Sequence, residues 1–205
     1  MAGLFATIEG IDGSGKTTVA AKVADSLHRA GIAVAQTTEP THTWRGEAVK
    51  WAIDRDVDGV SEAFLFLADR KAHGAEIRVW LDAGKLVLSD RYADSTYAYQ
   101  GARLAGRIPD PVAWLRDLSL PFVVPPDVTY FLAVPPHVAI ARLASRSKTI
   151  RFEEPAFLAA VDANYRKLAN NPRFVTVDAT RTAETVAGDI ERDLMQRFPR
   201  PRAST

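Results

Sequence analysis

The chain has 205 residues, which is enough for one α/β domain with a well-buried core and too few for two comfortable ones. Its 26 basic and 25 acidic residues nearly cancel, so the composition argues against a nucleic-acid polymer or a membrane surface as partner and favours a small anion held locally. The absence of cysteine excludes disulfides, thiolate catalysis and Cys-based metal sites. No apolar run reaches the ~18 residues that a membrane-spanning helix needs, and the N-terminus lacks a signal-peptide pattern, so we expect a soluble, cytoplasmic protein.

Apolar runs typical of buried strands recur along the chain, with helical periodicity between them. The strand-like runs are residues 4–8, 32–38, 86–88, 128–134 and 174–177. Helices are predicted at residues 17–30, from a cap at Ser61 to about residue 83, after Pro135 and Pro136, and at about residues 183–197. This alternation indicates an α/β fold with a parallel sheet covered by helices. Residues 1–197 are expected to form a single domain, and the basic tail 198–205 to be disordered.

Residues 10–17 (GIDGSGKT) directly follow the first apolar run and form a complete Walker A phosphate loop. The glycines let successive backbone N–H groups turn toward phosphate oxygens, while Lys16 neutralises the β/γ charge and the Thr17 hydroxyl can ligate Mg²⁺. The helix that begins at Lys16 adds the positive end of its dipole. The residues predicted to bind a nucleoside triphosphate are Gly10, Gly13, Ser14, Gly15, Lys16, Thr17 and Thr18.

A second motif, LVLSDRY at residues 86–92, is a buried strand that ends in a carboxylate and a guanidinium. Because the carboxyl ends of parallel strands meet at one edge, Asp90 and Arg91 are expected beside the phosphate loop. Asp90 can then hold a water of the Mg²⁺ shell, and Arg91 can clamp a second phosphate with two hydrogen bonds. The alternative is a surface ion pair, which the position at the strand end disfavours.

Several segments together resemble the thymidylate kinase family over nearly the whole chain. They are residues 9–18 (EGIDGSGKTT), Glu39-Pro40, 64–70 (FLFLADR), 89–101 (SDRYADSTYAYQG), 126–136 (PDVTYFLAVPP), 142–153 and 177–180 (VDAT). The resemblance implies transfer of the γ-phosphoryl group of ATP to dTMP, giving dTDP and ADP. It also implies a P-loop NTPase three-layer sandwich with a five-stranded parallel sheet, a short basic lid at about residues 142–153, and usually a homodimer.

Phosphoryl transfer depends chiefly on positioning and on cations that stabilise the moving charge. Lys16 and Arg91 are the candidates from the two motifs, with Asp90 beside them. In the family an arginine comes from the phosphate loop or from the lid, and Gly13 stands at the loop position here. The lid arginines implied for the transferred group are therefore Arg146 and Arg151, and Arg142 is implied for ATP. A solvated basic helix end is the alternative for this segment.

For the acceptor, Phe66 and Arg70 are four residues apart and share one face of the long helix. The resemblance implies that Phe66 packs on thymine and that Arg70 donates to its O4 edge. Further acceptor residues implied by the family are Asp12 at the sugar 3′-hydroxyl, Tyr99 against the 2′ carbon, and Ser95, Thr96 and Gln100 near the base.

The chain also departs from the family pattern. Thr38 stands where the family often has an arginine, and Lys50 replaces an arginine that touches the acceptor phosphate. A lysine keeps the charge but loses the two-pronged hydrogen bonding. Arg45 is the other candidate for that phosphate, and the sequence does not decide between them. The family further implies a cis bond at Glu39-Pro40.

Two other segments or motifs bear on alternative functions. Residues 54–59 begin like a calcium-binding EF-hand loop, but Leu65 stands where the twelfth position needs a glutamate, so the segment is interpreted as a connection between helices. A GTP-driven switch is a rival function, although the chain has no Asn-Lys-x-Asp motif for guanine. A kinase for another nucleoside or nucleotide acceptor is the nearer rival, and it would differ only at the base and sugar pocket.

Overall fold

The structure is a computed structural model that describes residues 3–144 and 154–198. Within these ranges the strands are β1 (Leu4–Glu9), β2 (Val34–Thr38), β3 (Leu86–Asp90), β4 (Val128–Ala133) and β5 (Phe174–Asp178). The helices are α1 (Lys16–Arg29), α2 (Trp44–Asp54), α3 (Gly59–Asp82), α4 (Ala93–Arg103), α5 (Pro111–Ser119), α6 (Pro136–Leu143), α7 (Pro155–Leu168) and α8 (Ala183–Arg197). The lid residues Arg146 and Arg151 and the tail from residue 199 lie outside the described ranges.

The five strands form one parallel sheet in the order β2-β3-β1-β4-β5. In the register of the central strands, Ile8 of β1 lies beside Asp90 of β3. The carboxyl end of β3 therefore meets the phosphate loop that follows β1, as the sequence predicts.

Helices cover both faces of the sheet because alternate residues of the central strands point in opposite directions. Ala6 and Ile8 of β1 belong to a core shared with α1 and α8. Phe5 and Val87 point the other way, into a second core formed with α3, α4 and α5. The predicted three-layer α/β sandwich with a five-stranded parallel sheet is thus confirmed.

The element boundaries differ from the prediction in a few places. β2 begins at Val34, two residues later than expected. The long helix begins at Gly59, and its cap is Asp58, whose carboxylate accepts from the backbone N–H groups of Val60 and Ser61. Ser61 therefore lies in the first turn, and its assignment as the cap is wrong. An aspartate one residue before the helix can reach these free N–H groups, whereas Ser61 is already part of the turn.

Three further observations concern the connections. The bond between Glu39 and Pro40 is cis, as the family resemblance implies. Residues 55–58 connect α2 to α3, which confirms the reading of the acidic segment as a link between helices. Among residues 3–144 and 154–198, no helix combines the length and the apolar character that a membrane crossing requires.

Candidate active site

The phosphate loop occupies the turn between the end of β1 at Glu9 and the start of α1 at Lys16. Its glycines Gly10, Gly13 and Gly15 all have positive φ, a conformation that side chains other than glycine rarely adopt. At Gly13 space is limiting as well, since a Cβ atom would lie 2.4 Å from the carbonyl oxygen of Ala139 in α6. The sequence thus permits a tight loop that packs directly against a helix backbone.

Lys16 lies buried at the floor of a cavity of about 120 Å³. The cavity is lined by Asp12, Gly13, Gly15, Lys16, Thr17, Thr18 and Arg91. The Lys16 Nζ donates to the backbone oxygen of Ile11 at 2.8 Å and lies 4.0 Å from the Asp12 carboxylate. Burial, together with the nearby charge of Arg91, lowers the pKa of Lys16 to about 8. An anion in this cavity would supply the negative charge that Lys16 lacks.

Thr17 and Asp90 bring together the two predicted metal ligands. The Thr17 hydroxyl donates to Asp90 Oδ2 at 2.6 Å. The other carboxylate oxygen, Asp90 Oδ1, is buried and has no hydrogen-bond partner within the described chain. A carboxylate oxygen and a hydroxyl are hard ligands, so this pair fits a Mg²⁺ ion or a water of its shell.

Arg91 joins the phosphate loop to the rest of the site. Its guanidinium pairs with the Asp12 carboxylate and lies over the ring of Tyr99 at 5.3 Å. The Tyr99 hydroxyl accepts from the Asp12 backbone N–H at 2.8 Å. Burial alone would raise the pKa of Asp12, but the charges of Arg91 and Lys16 outweigh burial and lower it. Asp12 is therefore a carboxylate held between two cations.

A second cavity of about 170 Å³ lies on the other side of this cluster. It is lined by Asp12, Glu39, Pro40, Ile53, Phe66, Arg70, Arg91, Tyr92, Ser95, Tyr99 and Gln100. Arg70 is fully buried, and its Nη2 donates to Glu39 Oε2 at 2.7 Å and to Thr96 Oγ1 at 2.8 Å. Its Nε and Nη1 have no hydrogen-bond partner within the described chain. Since buried donors are normally satisfied, these two atoms are available to an acceptor on a bound ligand or to an ordered water.

Glu39 contacts Arg70 directly, and His73 contacts Glu39. Neither Glu39 nor His73 was predicted to be a site residue. Glu39 Oε1 lies 2.9 Å from His73 Nδ1, and His73 Nε2 lies 2.8 Å from the Thr37 hydroxyl. All of Arg70, Glu39 and His73 are buried. The only sequence signal for this set is the match at Glu39-Pro40, because a single buried histidine has no recognisable spacing.

Glu9 is the third site residue, after Glu39 and His73, that was not identified from the sequence. Its carboxylate accepts from the backbone N–H groups of Tyr92 and Ser95, and from the hydroxyls of Ser95 and Tyr165. Burial and the nearby Asp94 outweigh these donors and raise the pKa of Glu9 to about 7. Glu9 thereby caps the N-terminus of α4, where Tyr92 offers no side-chain cap. Its place immediately before Gly10 in the matched segment is the signal that could have found it.

A third cavity, of about 280 Å³, opens on the outer side of the phosphate loop. Its lining residues are Ser14, Gly15, Thr18, Val19, Arg142, Ala179, Arg181, Thr182, Ala183 and Val186. Arg142 reaches toward the backbone oxygens of Gly13 and Thr180 at 3.5 and 3.4 Å. Arg142, which was predicted to bind ATP, thus lies beside the phosphate loop. Arg181, which was not predicted, lines the same cavity.

Arg45 and Lys50, the two residues of α2 predicted to bind the substrate, do not line the second cavity, although Ile53 of the same helix does. Lys50 pairs at the surface with Glu47 at 2.7 Å. Arg45 packs against the ring of Trp44 at 5.1 Å, and its Nε is buried without a hydrogen-bond partner in the described chain. Neither Arg45 nor Lys50 is thus among the residues that line the second cavity.

The cavity around Lys16 and the second cavity, which contains Phe66 and Arg70, share Asp12 and Arg91 as lining residues. A phosphate cradle followed by an α-helix, next to a pocket with an aromatic ring and buried hydrogen-bond donors, defines a P-loop phosphotransferase that acts on a small acceptor.

The comparisons with known proteins identify the family. The family model of thymidylate kinase matches residues 8–190. The chain is 44% identical to a probable thymidylate kinase of Methanoculleus marisnigri, over 98% of this chain and 100% of the relative. It is 40% and 42% identical to proteins of the same name from Methanosarcina barkeri and Halobacterium salinarum, each over 96% of this chain and 98% of the relative. The chain therefore belongs to the thymidylate kinase family and is a nucleoside monophosphate kinase.

Proposed function

We propose that this chain transfers the γ-phosphoryl group of ATP to dTMP, giving dTDP and ADP for dTTP synthesis. The observation that carries the proposal is the pair of cavities that meet at Asp12 and Arg91. We call the second cavity the acceptor cavity. A donor phosphate on the loop and an acceptor phosphate in the acceptor cavity would both face the Arg91 guanidinium. The family membership of the chain supports the same reaction.

On the donor side, the ATP phosphates would lie on the backbone N–H groups of the loop, with Lys16 beside them. Thr17 and Asp90 would hold Mg²⁺ or its water shell. The metal neutralises phosphate charge during transfer. Arg142 and Arg181 line the outer cavity, where the nucleoside part of ATP would bind.

On the acceptor side, Phe66 would pack on the thymine ring and the free donors of Arg70 would meet its O4 edge. Asp12 would accept from the sugar 3′-hydroxyl, and the buried ring of Tyr99 would leave no room for a 2′-hydroxyl. For the acceptor phosphate we favour Arg45 over Lys50. Lys50 is engaged with Glu47, whereas the buried Arg45 Nε has no hydrogen-bond partner within the described chain.

The transfer itself needs positioning and positive charge and no covalent intermediate. Arg91 would stabilise the charge that develops between the two phosphates. Arg146 and Arg151, outside the described ranges, remain the proposed lid contributions to the transferred group.

We further propose that the enzyme is a cytoplasmic homodimer. Val60 and Phe64 lie one turn apart on α3 and are exposed. The centroid of the Phe64 ring lies 6.3 Å from that of the Trp114 ring of α5. We call these three residues the α3 patch. A contiguous exposed apolar patch on a helix favours association with another protein surface, and a second copy of the chain is the proposed occupant.

A panel of nucleoside monophosphates with ATP and Mg²⁺, read by ADP release, tests the reaction. We expect dTMP to be the best acceptor and dUMP to be poorer but detectable, since one methyl group in a pocket is worth only ~1–3 kcal/mol. Lys16→Ala, which removes the cation at the loop, is expected to stay folded and to lose most of kcat. A faster reaction with another monophosphate would contradict the assignment of dTMP, and tight, slowly exchanging GTP would favour a switch protein instead.

A further inference from the structure

Gln100 presents an unsatisfied carbonyl oxygen in the acceptor cavity. The side chain is fully buried and lines the cavity together with Phe66 and Arg70. Its Nε2 donates to Glu62 Oε1 at 3.1 Å, while its Oε1 has no hydrogen-bond partner within the described chain.

The neighbouring Glu62 dictates which way this amide points. An ionised carboxylate can only accept, so the atom of Gln100 that faces Glu62 must be the NH₂ group. The carbonyl oxygen is then left for the cavity. Glu62 is itself fully buried, and its other oxygen lies 2.5 Å from Arg103 Nη1, so its charge is paired. Arg103 is anchored in turn by Asp56 at 2.8 Å.

The two facing helices set the positions of these groups along the cavity. On α3, Glu62, Phe66 and Arg70 follow each other at intervals of four residues and lie on one face. On α4, Gln100 and Arg103 face Glu62. The cavity therefore has an acceptor at Gln100 and free donors at Arg70, and the Phe66 ring is part of the same lining.

This order of acceptor and donor matches one kind of pyrimidine edge. Thymine presents an N3–H donor next to the O4 acceptor, whereas cytosine presents an N3 acceptor next to an N4 amino donor. Against cytosine, both the Gln100 oxygen and the Arg70 donors would face groups of their own kind, and buried polar groups left unpaired penalise binding.

We propose that Glu62, held by Arg103, is a positioning residue that fixes the Gln100 amide and thereby makes the site select an imide edge over an amino-pyrimidine edge. The inference rests on the proposed function, because it assumes that a pyrimidine monophosphate occupies this cavity. It adds to that function a residue that need not touch the substrate.

The variant Glu62→Gln tests the proposal, since a glutamine can either donate or accept and no longer dictates the amide orientation. The substrates are dTMP and 5-methyl-dCMP, which share the methyl group and differ only in the edge, with dUMP as the methyl-less reference. The ratio of kcat/KM for dTMP to that for 5-methyl-dCMP should fall at least about tenfold. The ratio for dTMP to dUMP should stay within about twofold, and the exposed Glu76→Gln on the same helix should change neither ratio.

A purely structural role would weaken all three acceptors equally, and an unchanged edge ratio would overturn the proposal. In a Gln100→Met background, Glu62→Gln should have no further effect on the edge ratio, because the amide that it orients is gone. An additional loss there would show that Glu62 acts by another route. Wild-type turnover of dTMP separates this failure from failure of the proposed function.

If Glu62→Gln does not fold, the wild-type protein still provides a test. The side-chain NH₂ of Gln100, assigned by its absence in Gln100→Met, should show one slowly exchanging proton in the NMR spectrum, both without ligand and with dTMP bound. Fast exchange of both protons, or loss of protection on dTMP binding, would mean that the NH₂ group does not remain on Glu62 and would overturn the proposal.

Discussion

The charge of Lys16 fits its surroundings poorly before a nucleotide binds. Lys16 is buried and Arg91 is near it, and a backbone oxygen, Asp12 at 4.0 Å and the charges of Asp90 and Glu9 offset this only in part. This is why its pKa is lowered to about 8. A triphosphate reverses the situation, because its negative charge favours the protonated amine.

Nucleotide binding should therefore take up a proton at alkaline pH. At pH 8.5 the free protein holds Lys16 partly neutral, and binding of ATP should restore the ammonium with uptake of a fraction of a proton. Isothermal titration calorimetry in buffers of different ionisation enthalpy measures this uptake. In Lys16→Arg the charge is kept but does not titrate, so the extra uptake above pH 8 should vanish. Equal uptake in both proteins would show that Lys16 is already protonated in the free enzyme.

At the residue level, a fixed glycine spacing made the phosphate loop recognisable from the sequence. Phe66 and Arg70 were named through the family resemblance, because an aromatic residue and an arginine four positions apart on a helix are by themselves more often core and surface residues. Glu39 and His73 were missed because Glu39, which follows β2, meets Arg70 and His73 of α3 only after the two elements pack together. A buried ion pair across elements leaves no local signature in the chain.

At the scale of elements, the start of α4 depends on a neighbour in the sheet. The helix has no side-chain cap of its own, and Glu9 at the end of β1 accepts from its first N–H groups. The helix that carries Ser95, Tyr99 and Gln100 is thus fixed to the strand that leads into the phosphate loop. The phosphate loop and the residues of α4 that line the second cavity are thus connected through one carboxylate.

The raised pKa of Glu9 gives this junction a measurable pH dependence. Between pH 4.5 and about 7 the folded state binds a proton that the unfolded state has lost, so stability should fall as pH rises through that window. The contribution is up to about 3 kcal/mol for a shift of this size. Urea unfolding at several pH values should show the decline in the wild type, and Glu9→Gln should lack this part of it.

Glu76→Gln serves as the matched control, because Glu76 is exposed and the substitution is chemically the same. Its stability curve should run parallel to that of the wild type. If the Glu9→Gln curve also ran parallel, Glu9 would have the same pKa in the folded and unfolded chain.

Helix α4 was hard to predict because its first nine residues have no exposed face. All residues from 93 to 101 in α4 are buried, so the helix shows no amphipathic pattern, and it was absent from the sequence-based helices together with α5 and α7. The strands were found because β-rich apolar runs stand out between helices. In α4, packing on all sides removed the hydrophobic periodicity on which helix prediction relies. Helices α5 and α7 keep exposed polar residues such as Arg116 and Lys167.

At the scale of the whole molecule, the order of the strands decides the site. Placing β3 next to β1 joins Asp90 and Arg91 to the phosphate loop, although the two motifs are more than 70 residues apart in the chain. The sequence predicted this meeting from the general rule for parallel sheets. Two separate sites were expected through the family resemblance, but the shape of each cavity was not, because its walls come from side chains of several elements.

The α3 patch leads to a prediction about assembly. Phe64→Glu places a charge in the apolar patch and should shift the protein from dimer to monomer in sedimentation equilibrium. Val79→Glu is the matched control, since Val79 is also exposed on α3 but lies about four turns away. A dimer that survives Phe64→Glu, or a wild type that is monomeric, would show that the patch is not the dimer interface.

The contact between Gly13 and Ala139 has a consequence for the evolutionary history of such enzymes. With the α6 backbone so close, the loop cannot acquire any larger residue by a single codon change without displacing that helix. We therefore expect relatives that carry an arginine at this loop position to have the α6 backbone farther from the loop than it is in this chain.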